Sequence, residues 1–444
     1  MKKLIQTFKN IWSIEELRSK IIFTLVLIFI YRVGAQVVLP GIDPAELDLK
    51  ANQGGMLGMI DMFAGGAFSQ ASIFALGIMP YISASIFMQL MTVLVPQFQK
   101  MQKEGDSGRK KINQWTRYLT VLVTIVQASA YVAYLRQMTQ QGGMIPGFEA
   151  YFWLTSVVVL TAGTMFVMWM GEKITDKGLG NGTSLIIMIG IIAHLPQSFV
   201  QELVAKSTRS GLILVFIIEI AIFIAITLGC ILLIQGVRKI PVNYAKQIVG
   251  NRQFTGARQF LPIKVNSSGV MPIIFAQAIM FLPTLFTLTK TETGQGIAAA
   301  FSDPRNGWYM AVYAAVVIGF TFLYTALIFN PKQISDNLKQ NNGFIPGVKP
   351  GQPTTDYIGA IMDKVTLPGA FALAFVGIIP GIAQRLGVSA GFSSFYGGTS
   401  LLIMVGVILD TLQQVETQLM MRQYDGLMKS GRLQGRQTVT QTSI

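Results

Sequence analysis

The feature that most limits what this chain can fold into is a series of uncharged apolar runs. Each is close to the roughly 20 residues a helix needs to cross the hydrocarbon core of a bilayer. Runs free of Asp, Glu, Lys and Arg cover 62–99, 118–135, 150–171, 178–201, 265–289, 306–331, 365–384 and 386–409. Two more apolar stretches are each broken by one charge, 21–39 by Arg32 and 210–236 by Glu219. Ten spans are therefore expected, in an all-α polytopic membrane protein, and an even number puts both termini on one side. Composition agrees, with 13% charged residues where a soluble domain carries about 25%.

Lys and Arg in short loops resist translocation, so their distribution sets orientation. The N-terminal tail, the even-numbered loops and the C-terminal tail hold 27 of the 35 cations, and the opposite loops hold 7. Both termini and the long even-numbered loops are thus predicted to be cytoplasmic. Residues 1–20 read as an amphipathic cytoplasmic helix lying on the interface, with Leu4, Phe8, Ile11 and Trp12 at helical spacing. Residues 21–203 hold spans 1–5. Residues 204–418 hold spans 6–10, with basic cytoplasmic loops at 237–265 and 331–365, and 419–444 form a cytoplasmic tail. Five spans on each side permit two inverted halves, although no repeat is visible in the residues themselves.

Several function classes are excluded at this stage. One cysteine, Cys230, and one histidine, His194, rule out a disulfide framework and paired-His metal motifs, and both residues read as packing. There is no phosphate-binding GxxxxGK[ST], no HExxH and no nucleophile elbow with a plausible His partner, so neither an enzyme nor a metal or cofactor is expected. The glycines of GLGNGTS (178–184) open a helix and could hold phosphate, but no strand precedes them. An intramembrane protease is disfavoured because no catalytic pair is visible.

What the bilayer does not explain is more informative. Residues 62–99 are about twice a crossing, and the preceding GGMLGMIDMFAGG is rich in glycine and methionine. One reading is a short helix near Met56–Phe63, a break at Gly65 and Gly66, then a span from about Ser72 to Val95. Non-helical backbone at membrane depth is tolerated only inside protein or along a cavity. The other reading is an ordinary outer loop with a frayed helix. Isoleucines recur one turn apart at Ile82 and Ile86, and at Ile187 and Ile191; on spacing alone, core packing or lipid contact explains them better than a hydrophobic constriction.

The loop after span 6 carries Arg238, Lys239, Lys246, Arg252, Arg258 and Lys264 with no acid. That exceeds what topology needs and suits RNA phosphate or an acidic protein surface better than lipid headgroups alone. Ionisable groups inside spans are costly and are functional candidates by default. Arg32, Glu219 and Asp410 are the ones here, and Glu219 would serve an ion-coupled secondary transporter.

The segments ASIFALGIMPYISASIFMQLM (71–91), KEGDSGRKKINQWTRY (103–118), DKGLGNGTSLIIM (176–188), LPIKVNSSGVMP (261–272) and YGGTSLLIMVGVILD (396–410) closely resemble the SecY family, central channel subunits of bacterial protein translocases. The motifs fall in order across nearly the whole chain. The resemblance implies two inverted five-helix halves around a central pore in the plasma membrane. Through that pore unfolded secretory proteins pass outward, and membrane segments and signal peptides leave sideways into membrane lipid.

By the same resemblance, the pore ring maps to Ile82, Ile86, Ile187, Ile191, Ile274 and Ile403, which reverses the reading from spacing. The plug maps to Met56, Leu57, Met59, Ile60, Asp61, Met62 and Phe63, within about 56–66. A lateral gate lies between spans 2 and 3 on one side and 7 and 8 on the other, with Gln127 and Gln277 as its polar residues. The implied partners are SecE, SecG, the motor ATPase SecA and the ribosome, docking on Arg238, Lys239, Lys246, Arg252, Arg258 and Lys349. Lys349 in FIPGVKPG, like Lys364 in MDKVTL, stands where the family usually carries arginine. Lysine keeps the charge but loses the bidentate fork.

Overall fold

The computed structural model describes residues 12, 14–42, 61, 63–139, 149–207, 213–244, 247–249, 252–254, 258–281 and 305–429. Of the plug residues named above, Met56, Leu57, Met59, Ile60 and Met62 lie outside them, as does Lys246; most of the expected N-terminal surface helix does too.

The first half runs through α1 (Glu15–Gly34), α2 (Met79–Leu94), α3 (Pro96–Lys103), α4 (Asp106–Thr139), α5 (Glu149–Lys177) and α6 (Gly182–Ser207). The second half begins with α7 (Ile213–Gln235) and a hairpin of β1 (Val237–Tyr244) and β4 (Arg258–Lys264), with the short β2 (Gln247–Val249) and β3 (Arg252–Phe254) paired between them. It continues through α8 (Met271–Phe281), α9 (Gly307–Ile328), α10 (Pro331–Gln340), β5 (Gly343–Phe344), α11 (Gln352–Arg385), α12 (Ala390–Ser393) and α13 (Gly398–Lys429).

The ten expected spans correspond in order to α1, α2, α4, α5, α6, α7, α8, α9, α11 and α13. By length and composition α4, α5, α6, α7, α9, α11 and α13 can each cross a membrane, and α2 qualifies jointly with α3, across a 98° bend. In α1 the flanking Arg18 and Lys20 together with Arg32 dilute the apolar stretch. The described part of α8 is 11 residues long.

Each half has its own apolar core. Leu27, Tyr31, Val132, Leu160, Ile174 and Ile186 fill the first, and Cys230, Ile273, Val317, Leu373 and Leu401 the second. In lipid there is no hydrophobic force between helices, so close backbone approach and polar bonds hold them together. Gly182 of α6 illustrates the first: a Cβ there would lie 2.0 Å from the Gly171 carbonyl oxygen of α5. Arg117 of α4 illustrates the second, donating from Nε and Nη2 to the two Glu172 oxygens of α5 at 2.9 and 2.7 Å.

Two differences from the sequence reading stand out. Helix α2 begins at Met79, not near Ser72. The chain from 64 to 78 is a series of turns, with positive φ at Gly65, Gly66, Ala71 and Gly77, and Pro80 then sits in the first turn of the helix, where its missing N–H costs nothing. The second difference is the β-hairpin in the loop after span 6. Along β1 Ile240 and Val242 are buried while Lys239 and Pro241 face out, the period-2 pattern of a half-buried strand. They pack with Ile263, Leu338, Ile345, Ile358 and Met362.

Candidate functional site

The site is built where both cores meet. Ile82 of α2, Ile187 and Ile191 of α6, Ile274 of α8 and Ile403 of α13 belong to one apolar cluster, so four helices from both halves converge on it. Ile78, just ahead of α2, is buried in the same cluster. The sequence reading passed over it, although Ile78 and Ile82 are also four apart. Ile86 lies one turn further along α2, in an adjoining cluster with Phe275 and Tyr324 that Ile82 and Ile274 also touch.

Asp61 and the chain from 63 to 78 lie against this isoleucine cluster. Phe63, Ala64, Ala67, Phe68, Phe74 and Leu76 are all buried in it, and Asp61 is 4% exposed. Irregular backbone in such a place needs partners for its polar groups, and side chains of α1 and α4 supply three of them. Tyr31 Oη donates to the Ala64 carbonyl at 3.3 Å, Arg32 Nη1 to the Gly65 carbonyl at 2.9 Å, and Tyr131 Oη to the Phe68 carbonyl at 2.7 Å. Asp61 Oδ1 accepts the Ser69 amide at 2.8 Å and its carbonyl accepts the Gly66 amide at 3.0 Å, which folds the segment back on itself. Arg32 thus has a specific task inside its span.

Gly190 of α6 faces this segment. A Cβ at Gly190 would stand 2.9 Å from the Phe63 carbonyl oxygen and 3.2 Å from the Gly65 nitrogen. Gly65 in turn has φ of +69° and approaches the Gly190 Cα. His194, one turn on, borders Gly66.

At the seam between α2 on one side and α8 with α9 on the other, the contact is aromatic and polar. Phe275 stacks on Phe320 with centroids 5.3 Å apart, and Tyr324 Oη donates to Gln89 Oε1 at 2.7 Å across a separation of 235 residues. Gln127 is half-buried on α4. Gln277 of α8 accepts a hydrogen bond from Thr399 Oγ1 at 3.3 Å, so that oxygen is turned toward α13.

Of the other ionisable groups singled out in the spans, Glu219 has an ion-pair partner and Asp410 faces out. Lys206, counted as a loop cation in the sequence, is the last-turn cation of α6; it donates to Glu219 Oε1 at 3.0 Å and to the Gly387 carbonyl at 3.1 Å, with Glu202 Oε1 at 3.6 Å. Glu219 is therefore held in an ion pair, the opposite of what a free coupling carboxylate needs. Asp410 is exposed. Asn181 caps α6, its Oδ1 accepting the Thr183 and Ser184 amides at 3.1 and 3.3 Å, so the glycine-rich 178–184 turn uses its helix N-terminus internally.

On the loop side, Arg238, Lys239 and Lys264 are exposed on the β1–β4 hairpin. β5 pairs with β1 through Asn243↔Phe344 and Tyr244↔Gly343, which brings exposed Lys349 to the same small domain. Lys349 is braced by its carbonyl, which accepts from Thr354 Oγ1 at 2.8 Å. Arg252 and Arg258 lie in β3 and β4.

Residues 72–412 match the family described as SecY. The protein translocase subunit SecY of Corynebacterium glutamicum is 40% identical over 97% of this chain and 100% of its own length. That of Escherichia coli K12 is 41% identical over 95% and 96%. Among solved structures, a protein-conducting channel aligns over 90% of this chain and 92% of its own with a TM-score of 0.63 at 17% identity. A Sec61 chain from a canine ribosome–channel complex aligns over the same shares with a TM-score of 0.54 at 16% identity. These two likenesses speak to the fold.

Proposed function

Because this chain belongs to the SecY family of protein translocase subunits, we propose that its isoleucine cluster is the constriction through which polypeptide is conducted. The protein is a multi-pass membrane channel for proteins. Ile82, Ile86, Ile187, Ile191, Ile274 and Ile403 form the ring, with Ile86 in the cluster that also borders the seam. The observation that carries this reading is that isoleucines from both halves meet in one cluster, with the buried turns of 64–78 beside it and held there by side-chain hydrogen bonds to the Ala64, Gly65 and Phe68 carbonyls.

The physics suits a passenger of arbitrary sequence. Branched apolar side chains in a narrow pore exclude water and ions by dewetting. Their contacts with a threading chain are weak and nondirectional, so no residue of the passenger is specially favoured. At rest, Asp61 and Phe63 with the turns that follow fill the passage as the plug. Unfolded secretory chains pass outward, and hydrophobic segments leave between α2 and α4 on one side and α8 and α9 on the other, where Gln127 and Gln277 are the polar gate residues.

The chain sits in the bacterial plasma membrane with both termini cytoplasmic, assembled with SecE and SecG. The exposed cations Arg238, Lys239 and Lys349, together with Lys246, Arg252 and Arg258, receive the ribosome or SecA. ATP is hydrolysed by that motor. Ion-coupled solute transport through Glu219 is not favoured, since Lys206 already holds that carboxylate.

The ring is tested in vesicles that hold an imposed membrane potential during SecA-driven transport. Ile82→Gly with Ile187→Gly and Ile274→Gly is expected to dissipate the potential while chains move, because the gasket around the passenger is lost. An unimpaired potential at equal transport would remove these residues from the constriction.

A further inference from the structure

His194 of α6 sets a titratable ring against the plug segment and leaves one of its nitrogens unused. Nε2 is buried and has no hydrogen-bond partner among the described residues. The ring borders the Gly66 turn: a Cβ on Gly66, where φ is +88°, would stand 3.2 Å from His194 Cε1 and 3.4 Å from Nε2. Pro196 and Gln197, just beyond it on the helix, are exposed, so the half-buried ring sits at the edge of the packed region. In the orientation proposed above, that edge is the outer one.

Two charges act on the ring among the described residues, those of Arg32 and Asp61. Arg32 comes from α1 and donates to the Gly65 carbonyl at 2.9 Å. Asp61 belongs to the plug segment and faces the ring with its carboxylate and its backbone carbonyl. One positive and one negative charge cancel, so the site is balanced while the imidazole is neutral. Both Asp61 acceptors are also in use: the carboxylate takes the Ser69 amide at 2.8 Å and the carbonyl takes the Gly66 amide at 3.0 Å.

A second proton on the ring upsets both balances. It leaves one uncompensated positive charge beside Arg32 at membrane depth, which is costly until water reaches it. It also makes both ring nitrogens donors. The new N–H on His194 either stays unpaired or competes with Ser69 and Gly66 for the Asp61 oxygens, and those two bonds fold the segment back on itself. Movement of the Gly66 turn away from the ring relieves the charge and the orphaned donor together, because it admits water.

We propose that His194 is a proton-operated catch on the plug: the Gly66 turn seats against the neutral ring, and a proton arriving from the outer side charges the ring and drives the turn off it. This rests on reading Asp61 and the chain from 63 to 78 as the plug. The sign follows from the charge count, since the seated turn prefers the neutral ring. Seating is favoured at neutral pH and above, and it weakens as the outer pH falls. His194 is a positioning residue and needs no contact with the passenger.

The experiment uses the full chain reconstituted with SecE and SecG in planar bilayers, without a passenger, and reads the resting ion conductance. Lowering the outer pH from about 7.5 to about 5.5 changes the protonated fraction of an ordinary imidazole about tenfold, and the conductance is expected to rise by about that factor. The same step on the cytoplasmic face should leave it unchanged. His194→Gln keeps a polar side chain that cannot charge, so it should stay quiet at both values. His194→Arg is charged at both and should conduct at both. An unaltered channel that ignores outer acid or tightens in it, that answers acid equally from either face, or a His194→Gln channel that opens as the unaltered one does, would overturn the catch. The comparison of the two faces uses the unaltered chain, so it decides even where a variant fails to fold.

A separate arm tests the plug reading beneath it. The rings of Phe68 and Tyr131 lie 4.6 Å apart, so Phe68→Cys with Tyr131→Cys in a Cys230→Ser background, bridged by a short bismaleimide, pins the segment to α4. At neutral pH the bridge is expected to abolish the conductance that a signal peptide evokes. Undiminished conductance and export with the bridge formed would overturn the plug, and the catch with it. A bridge that blocks the channel, in a protein whose unbridged form ignores outer acid, would overturn the catch alone.

Discussion

Lys206→Met removes the ammonium that lies between two buried carboxylates at the junction of the halves. Its Nζ is 3.0 Å from Glu219 Oε1 and 3.6 Å from Glu202 Oε1, and the three side chains are 11%, 7% and 1% exposed in the order Lys206, Glu219, Glu202. Breaking a buried pair by removing one partner costs about 3–5 kcal/mol, because the surviving charge is left uncompensated. With an unfolding entropy of about 2.1 cal/mol/K per residue over 444 residues, that lowers the melting temperature by about 3–5 °C, and by more where the detergent-unfolded state keeps its helices.

The assay is built into the chain. Cys230 is the sole cysteine and is 1% exposed in the second core, so a maleimide dye that fluoresces on reaction reports unfolding of purified protein in detergent. A triple variant, Lys206→Met with Glu202→Gln and Glu219→Gln, should recover most of the loss, since neutral groups of similar shape replace the whole network. An unshifted melting transition for Lys206→Met, or a triple variant worse than the single one, would refute the view that this cluster is a charge-paired clasp between α6, α7 and the Gly387–Ser389 turn.

Two further outcomes follow from the site. Gly190→Val places side-chain atoms against the Phe63 carbonyl and the Gly65 backbone, so it should unseat the plug segment and raise the resting ion conductance of the channel in planar bilayers; a silent channel would mean that this contact does not hold the plug. Lys349→Glu reverses a charge on the β1–β5 surface and should cut SecA-driven transport in reconstituted vesicles by severalfold, and undiminished transport would remove Lys349 from the docking surface.

Most of the fold was legible because a bilayer tolerates few alternatives: uncharged runs of sufficient length become helices. The chain from 64 to 78 was less so. Hydropathy places it in the span, but Gly77 at φ of +53° and Pro80 move the start of α2 to Met79, which only the turn chemistry could have signalled. The hairpin after α7 is signalled only by Ile240 and Val242 alternating with outward-facing residues, a period-2 run too short to stand out in a loop dominated by cations.

The candidate site divides in the same way. The ring positions came from a resemblance and not from spacing, and spacing alone could not prefer Ile82 to any other isoleucine in a span. Ile78 was missed because Pro80 follows it and disguises the turn. Tyr324 and Gln89 stand 235 residues apart with no local pattern to join them. The same holds for Lys206, whose pairing with Glu219 depends on α6 and α7 packing side by side.

The central claim, that polypeptide passes through the isoleucine cluster, is tested most directly by disulfide crosslinking. A secretory chain bearing one cysteine is arrested in transit through the channel, reconstituted with SecE and SecA in a Cys230→Ser background carrying Ile82→Cys or Ile187→Cys. A crosslink at both positions, and none from an exposed α7 position such as Leu232 (71% exposed) changed to cysteine, is the expected result. Efficient transport with no crosslink at either position would contradict the account.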